Sequence, residues 1–98
     1  MRWRKLGLVY APEGYETWAR THAMVPTPVL MPDGGLRVYF ASCDAQMVGR
    51  PAYVDLDPLD PTRVLRVARR PVLDVGRAGC FDDNGVVPSC AVWRGNEL

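Results

Sequence analysis

PTPVLMPDGGLRVYFASC, residues 26–43, decides the fold. Two apolar, β-prone runs flank Pro-Asp-Gly-Gly. That tetrapeptide is strong turn chemistry, because proline presets φ early in a turn and glycine accepts the positive φ that other residues resist. In the second run Leu36, Val38 and Phe40 alternate with Arg37, Tyr39 and Ala41, which is the period-two pattern of a strand with one apolar face. The stretch therefore predicts a hairpin, with strands at 26–31 and 36–43.

Working downstream, PAYVDLD (51–57) predicts a third strand and DPLDP a second turn, with Pro58 and Pro61 blocking extension. TRVLRVARR (62–70) predicts a fourth strand. Strands joined in chain order by short turns make an antiparallel meander. The first two are the most apolar and the fourth the most charged, the gradient of a propeller blade whose inner strands pack at the centre and whose outermost strand faces water. Beyond it, residues 71–85 lead into VVPSCAVW (86–93), a new strand followed by a turn at RGNEL. The expectation is all-β: residues 1–21 as an N-terminal strand and loop, 22–70 as a first blade, and 71–98 as the start of a second, truncated blade. An unfinished blade leaves an open sheet edge, so the chain reads as a fragment. Helical periodicity is scarce, because 9 prolines and 9 glycines interrupt the long windows. Only YETWARTHAM (15–24) predicts a short turn of helix.

Composition narrows the function classes. Apolar residues make up 48% and charged residues 23% of the 98, which is ordinary for a globular protein and unlike a disordered tail. A net charge of +1 gives no electrostatic footprint for nucleic acid or a membrane surface. Arg63, Arg66, Arg69 and Arg70 alternate with Val64, Leu65 and Val67 and read as a solvated strand face. No apolar run approaches the roughly 20 residues needed to cross a bilayer. The N-terminus lacks a signal-peptide pattern and reads as mature protein. Cys43, Cys80 and Cys90 are odd in number and have no CxxC spacing, against a disulfide framework or a zinc ribbon and for a cytoplasmic protein with reduced thiols. Asp55 with Asp57, and Asp82 with Asp83, lack calcium-loop spacing, so neither metal nor cofactor is expected.

WRKLGLVYAP, THAMVPTPVLMPDGGLRVYFASCDAQ, YVDLDPLDP and PVLDVGRAGCFDDNGVVPSC together resemble the N-terminal part of bacterial five-bladed β-propeller proteins. These are glycosidase-like proteins related to glycoside hydrolase families 43 and 32. The resemblance implies a carbohydrate ligand, the remaining blades as partners, and a pocket at one end of the central channel. It implies a glycoside hydrolase activity (EC 3.2.1.-) or, alternatively, a non-catalytic glycan-binding propeller, with the 98-residue piece inactive alone.

Strand pairing points to the same pocket. The start of one strand of a hairpin lies beside the end of its partner, so His22 should sit near Asp44. Asp82 and Asp83 precede the inner strand of the next blade at that end. Glycoside hydrolysis needs two carboxyl groups, one protonated and one ionised, and the resemblance matches Asp82 or Asp83 to a second-blade catalytic acid. His22 and Asp44 are candidate substrate-binding residues, and Trp18 is a candidate stacking surface for a sugar ring. The first-blade position that carries an aspartate in the hydrolases reads His22, Ala23 and Met24 here. Cys43 stands where the group is expected to have an arginine. The competing reading of Asp82, Asp83, Asn84 and Gly85 is a plain turn. A third alternative is a stand-alone small β domain that pairs its edges by self-association.

Overall fold

The computed structural model describes residues 1–98. Four strands form one antiparallel sheet: β1 (Thr21–Leu30), β2 (Leu36–Cys43), β3 (Gly49–Leu56) and β4 (Val64–Val67), in the order β1-β2-β3-β4. The all-β class and the meander are as expected. The chain holds no helix, and none is long and apolar enough to cross a membrane.

The hairpin at Pro32 forms for the predicted reason. Gly34 N–H donates to Met31 O at 2.9 Å, and Gly34 takes φ 86°. Asp33 Oδ1 accepts Gly35 N–H at 2.9 Å and stiffens the bend. The β2–β3 connection repeats this plan with a different residue. Met47 N–H donates to Asp44 O, and Met47 itself takes φ 64° where the first hairpin has glycine. A side chain in that region carries strain.

β1 is longer than its apolar run. It begins at Thr21, ahead of Pro26, because its register against β2 shifts twice. Between Thr21 and Met24, and again between Met24 and Thr27, β1 holds one residue more than β2. His22 (φ 65°) and Val25 (φ 52°) sit in these intervals. Pro26 falls in the second of these intervals, while Pro28 pairs with Val38 in regular register; neither can donate to a ladder, and an edge strand tolerates both.

The alternation read in β2 sets the core. Phe40, Ala52, Val54 and Leu56 form a buried cluster, and Val9, Tyr10 and Trp18 pack against it from the N-terminal segment. Tyr10 meets Phe40 with ring centroids 5.3 Å apart. Residues 1–20 therefore contain no strand. Val9, Tyr10 and Trp18 cover a sheet face instead of pairing with an edge. Residues 15–20 make a tight turn closed by a Glu16–Ala19 bridge, with Ala19 N–H donating to Glu16 O, and not the turn of helix expected there. The core is thin: 12 of 98 residues are buried, and Phe81 and Trp3 are open to solvent.

β4 is shorter than TRVLRVARR suggests. Leu65 is an extra residue between the Leu56–Val64 and Asp55–Arg66 pairs, and beyond Val67 the ladder loosens. The chain still follows β3, since Ala68 N–H donates to Tyr53 O and Val72 N–H to Pro51 O. Residues 86–93, expected as a strand, have no regular secondary structure. A strand needs a neighbour for its ladder, and here the segment is held only near its two ends. Gly85 bridges Gly49 in parallel, with Val86 N–H donating to Gly49 O at 2.9 Å, and Trp93 Nε1–H donates to Leu30 O at 3.0 Å.

Candidate functional site

One end of the sheet gathers most of the residues singled out in the sequence. Thr21 pairs with Cys43, and Cys43 pairs with Gly49. Arg20 N–H donates to Cys43 O at 2.8 Å, and Ser42 Oγ–H donates to Thr21 O at 2.9 Å. His22 and Asp44 thus flank the first pair. The parallel bridge from Gly49 to Gly85 ties the segment after Asp82 and Asp83 to the same end.

His22 is exposed, and its Nδ1 lies 2.8 Å from Thr21 Oγ1. Its positive φ is paid for by the surrounding ladder. Backbone strain of this kind is concentrated at ligand-binding positions.

Asp44 has a heavy structural job. Its Oδ1 accepts the N–H groups of Gln46 (2.9 Å) and Val48 (3.0 Å), and its Oδ2 accepts Arg50 Nη1–H at 2.8 Å. Arg50 also donates from Nε to Asp74 Oδ1 at 2.7 Å. The guanidinium therefore joins the β2–β3 turn to the segment after β4. Sequence reading missed Arg50 and Asp74, which lie 24 residues apart and meet only because the chain folds back along β3. The Arg50 guanidinium, followed by the Val48 N–H, holds the Asp44 carboxyl below its ordinary range. Arg50 does the same to Asp74, helped by the Val75 N–H.

The sign of the resulting pH dependence follows. Both folded-state values lie below the ordinary aspartate value of about 3.9. The stability these groups contribute is complete above that value and is lost as pH falls through their lower folded values. Arg50→Met should flatten this acid limb. Denaturant unfolding of wild type and variant, compared from about pH 6 down to about pH 2, reads the difference. Parallel curves would show that the triad adds nothing.

The acidic loop is built from two glycines. Asp83 Oδ2 accepts Gly79 N–H at 2.6 Å, and Asp82 O accepts Gly76 N–H at 3.3 Å. A Cβ on Gly76 would overlap the Asp82 carboxylate, so this side-chain position of Asp82 needs glycine at 76. Asp82 is half-buried and its carboxylate has no hydrogen-bond partner, whereas Asp83 is exposed and bonded within its own turn.

Trp18 lies elsewhere. Its indole packs on the core cluster and donates from Nε1 to Arg69 O at 3.3 Å. It lines a groove of about 930 Å³ with Tyr10, Phe40 and Val64. Cys43 is buried, and that burial, with the neighbouring Asp44 charge, raises its thiol above the ordinary value. A protonated buried thiol is a poor nucleophile. No cluster of three or more His, Cys, Asp or Glu side chains could hold a metal ion.

Two proteins of Mycobacterium tuberculosis are similar to this chain, the uncharacterized proteins MT1551 and Rv1502. Each is 37% identical over 96 residues, covering 98% of this chain and 32% of the relative. The chain spans about a third of the length of these curated relatives. No protein-family model matches the sequence. No solved structure matches it either.

Proposed function

We propose that this chain supplies the first blade, and the approach to the second, of a five-bladed glycosidase-like propeller that binds a carbohydrate and hydrolyses it. One observation carries the reading: after a four-stranded meander the chain returns, at Gly85, to the end where β1 and β3 begin, and runs on parallel to them. That is the path of a chain starting a second blade beside the first. It brings strained His22 and the 82–83 loop to a common end.

Length supports the blade count. Because 96 aligned residues are 32% of each relative, those proteins are ~300 residues long, or ~60 per blade for five blades. The step from Thr21 to Gly85, the two points that open successive units, is close to that. The thin core and exposed apolar side chains also suit a blade packed between neighbours.

In this reading Asp82 or Asp83 is the second-blade carboxyl group. Asp82 is the better placed, since its carboxylate is not spent on its own turn. His22 and Asp44 hold sugar hydroxyls, while Trp18, packed on the core cluster away from that end, takes no part. The second carboxyl group that hydrolysis requires comes from a further blade. The alternative is a glycan-binding propeller without turnover. It is favoured by His22, Ala23 and Met24 standing where the resemblance puts the first-blade acid.

The full-length protein incubated with glycan oligomers separates the two. Product release is expected to fall by about 100-fold or more in Asp82→Asn, and less in Asp83→Asn. Saturable binding with no product removes hydrolysis and leaves the binding module. An absence of both binding and product overturns the carbohydrate reading.

A further inference from the structure

The sheet face opposite the Phe40 cluster holds a second cavity, of about 520 Å³. Cross-strand register builds it. Arg37 stands opposite Asp55, and Asp55 stands opposite Arg66, so one carboxylate lies between two guanidiniums. Both carboxylate oxygens go to Arg37, with Nε–H donating to Oδ1 at 2.7 Å and Nη2–H to Oδ2 at 3.0 Å. Arg66, opposite the same carboxylate in register, has no carboxylate within ion-pair distance.

On the same face, Tyr39 stands opposite Tyr53, their rings edge to face at 6.2 Å. Arg37 lies over the Tyr53 ring at 3.8 Å, and the Arg66 guanidinium is 6.0 Å from the same centroid. The segment after β4 adds Arg69 and Arg70 to the wall. The ion pairs of the chain engage Arg37, Arg50, Arg63 and Arg94, and none engages Arg66, Arg69 or Arg70. Three arginines that join no ion pair therefore line one cavity together with two tyrosines, and the Arg66 guanidinium is placed on the tyrosine side.

Like charges gathered in this way repel, and an anion placed among them relieves that repulsion. The planar fork of a guanidinium matches a carboxylate or phosphate better than a hydroxyl. The volume lies in the range of small-molecule sites, about 300–1,000 Å³.

We propose that this cavity binds a small organic oxyanion, a carboxylate- or phosphate-bearing molecule about the size of a sugar. Arg66, Arg69 and Arg70 take the charged group, and Tyr39 and Tyr53 lie against its body. The sequence pattern alone makes these arginines a solvated strand face. The register that spends Asp55 on Arg37 is what corrects it. The site lies on the sheet face and not at the end that carries His22; it does not depend on the carbohydrate chemistry of that end, and it requires that no neighbouring blade cover this part of the face.

Calorimetric titration of the whole protein at low salt tests the proposal with four probes: galacturonate, glucose 6-phosphate, glucose and inorganic phosphate. The two charged sugars should bind at least about tenfold more tightly than glucose. Inorganic phosphate, with no body to meet the tyrosines, should bind more weakly than glucose 6-phosphate. The order of galacturonate and glucose 6-phosphate tells a carboxylate site from a phosphate site. Arg66→Gln with Arg70→Gln should cost about tenfold or more in affinity. Arg63→Gln, whose partner Asp57 lies outside the cavity, should cost nothing. Equal binding of glucose and the charged sugars overturns the site, as does an affinity unchanged in the double variant. Failure of every charged probe overturns it too. If the double variant also melts lower in that case, the arginines meet another part of the protein.

Discussion

Phe40→Ala should lose about 4 kcal/mol of folding stability, within the range of about 3–5 kcal/mol for removing a buried phenyl ring. Phe40 is 3% exposed and belongs to the one buried apolar cluster of the sheet. It also receives Tyr10, so its removal strips the N-terminal segment of its aromatic partner. The void would lie between the sheet and a covering segment with no regular structure, where collapse is easier than inside a rigid core. That consideration keeps the expected loss off the top of the range. Against a total stability of roughly 5–15 kcal/mol for a domain of ordinary size, this is enough to populate the unfolded state. Denaturant unfolding measures it, and Phe40→Leu, which refills most of the volume, should recover most of the loss. A Phe40→Ala midpoint within about 1 kcal/mol of wild type would mean that the N-terminal segment does not seal this face.

Gly85→Val should have the next largest effect, about 2–3 kcal/mol, and it couples the fold to the candidate site. Gly85 has φ 142°, a conformation open essentially to glycine. A Cβ there would stand 3.2 Å from Gly49 N and 3.4 Å from Gly49 O. Those are backbone atoms inside β3 and cannot swing aside as a side chain would. The substitution should therefore break the bond from Val86 N–H to Gly49 O and release the loop that bears Asp82 and Asp83. Amide exchange at Val86 should accelerate while exchange in the β2–β3 ladder stays near wild type, and glycan binding by the whole protein should weaken in the same variant. Unchanged exchange at Val86 would show that the bridge holds nothing in place. Weakened exchange protection with glycan affinity intact would detach the acidic loop from the proposed carbohydrate site.

What could be read in the sequence was what local chemistry controls. Pro32, Asp33 and Gly34 announce their turn, and the alternation from Leu36 to Ala41 assigns each side chain of β2 to a face. Strand ends were harder, since they depend on a partner. β1 reaches back to Thr21 through two irregular intervals, the second of which holds Pro26, and no local signal marks His22 or Val25 for a positive φ. Met47 hides a turn that its neighbour sequence would show plainly with glycine. Residues 86–93 have strand-like composition, yet composition supplies no hydrogen-bonding neighbour. At the candidate site, the placement of His22 and Asp44 on either side of the Thr21–Cys43 pair follows from hairpin logic. The link from Arg50 to Asp74 does not, because it depends on the path of residues 68–74 along β3. The same dependence hid the unpaired state of Arg66, which only the choice of Asp55 for Arg37 reveals.

The irregular edge of β1 has a further consequence, for solubility. A flat outer strand presents evenly spaced N–H and C=O groups that can recruit a stray strand and seed aggregates. Along β1, two prolines remove donors, and the kinks at His22 and Val25 break the spacing of those that remain. A foreign strand could add only a few bonds before losing register. Replacing Pro26 and Pro28 would restore donors to this border and invite such pairing, so the prolines that complicate the strand also keep its edge from becoming a template.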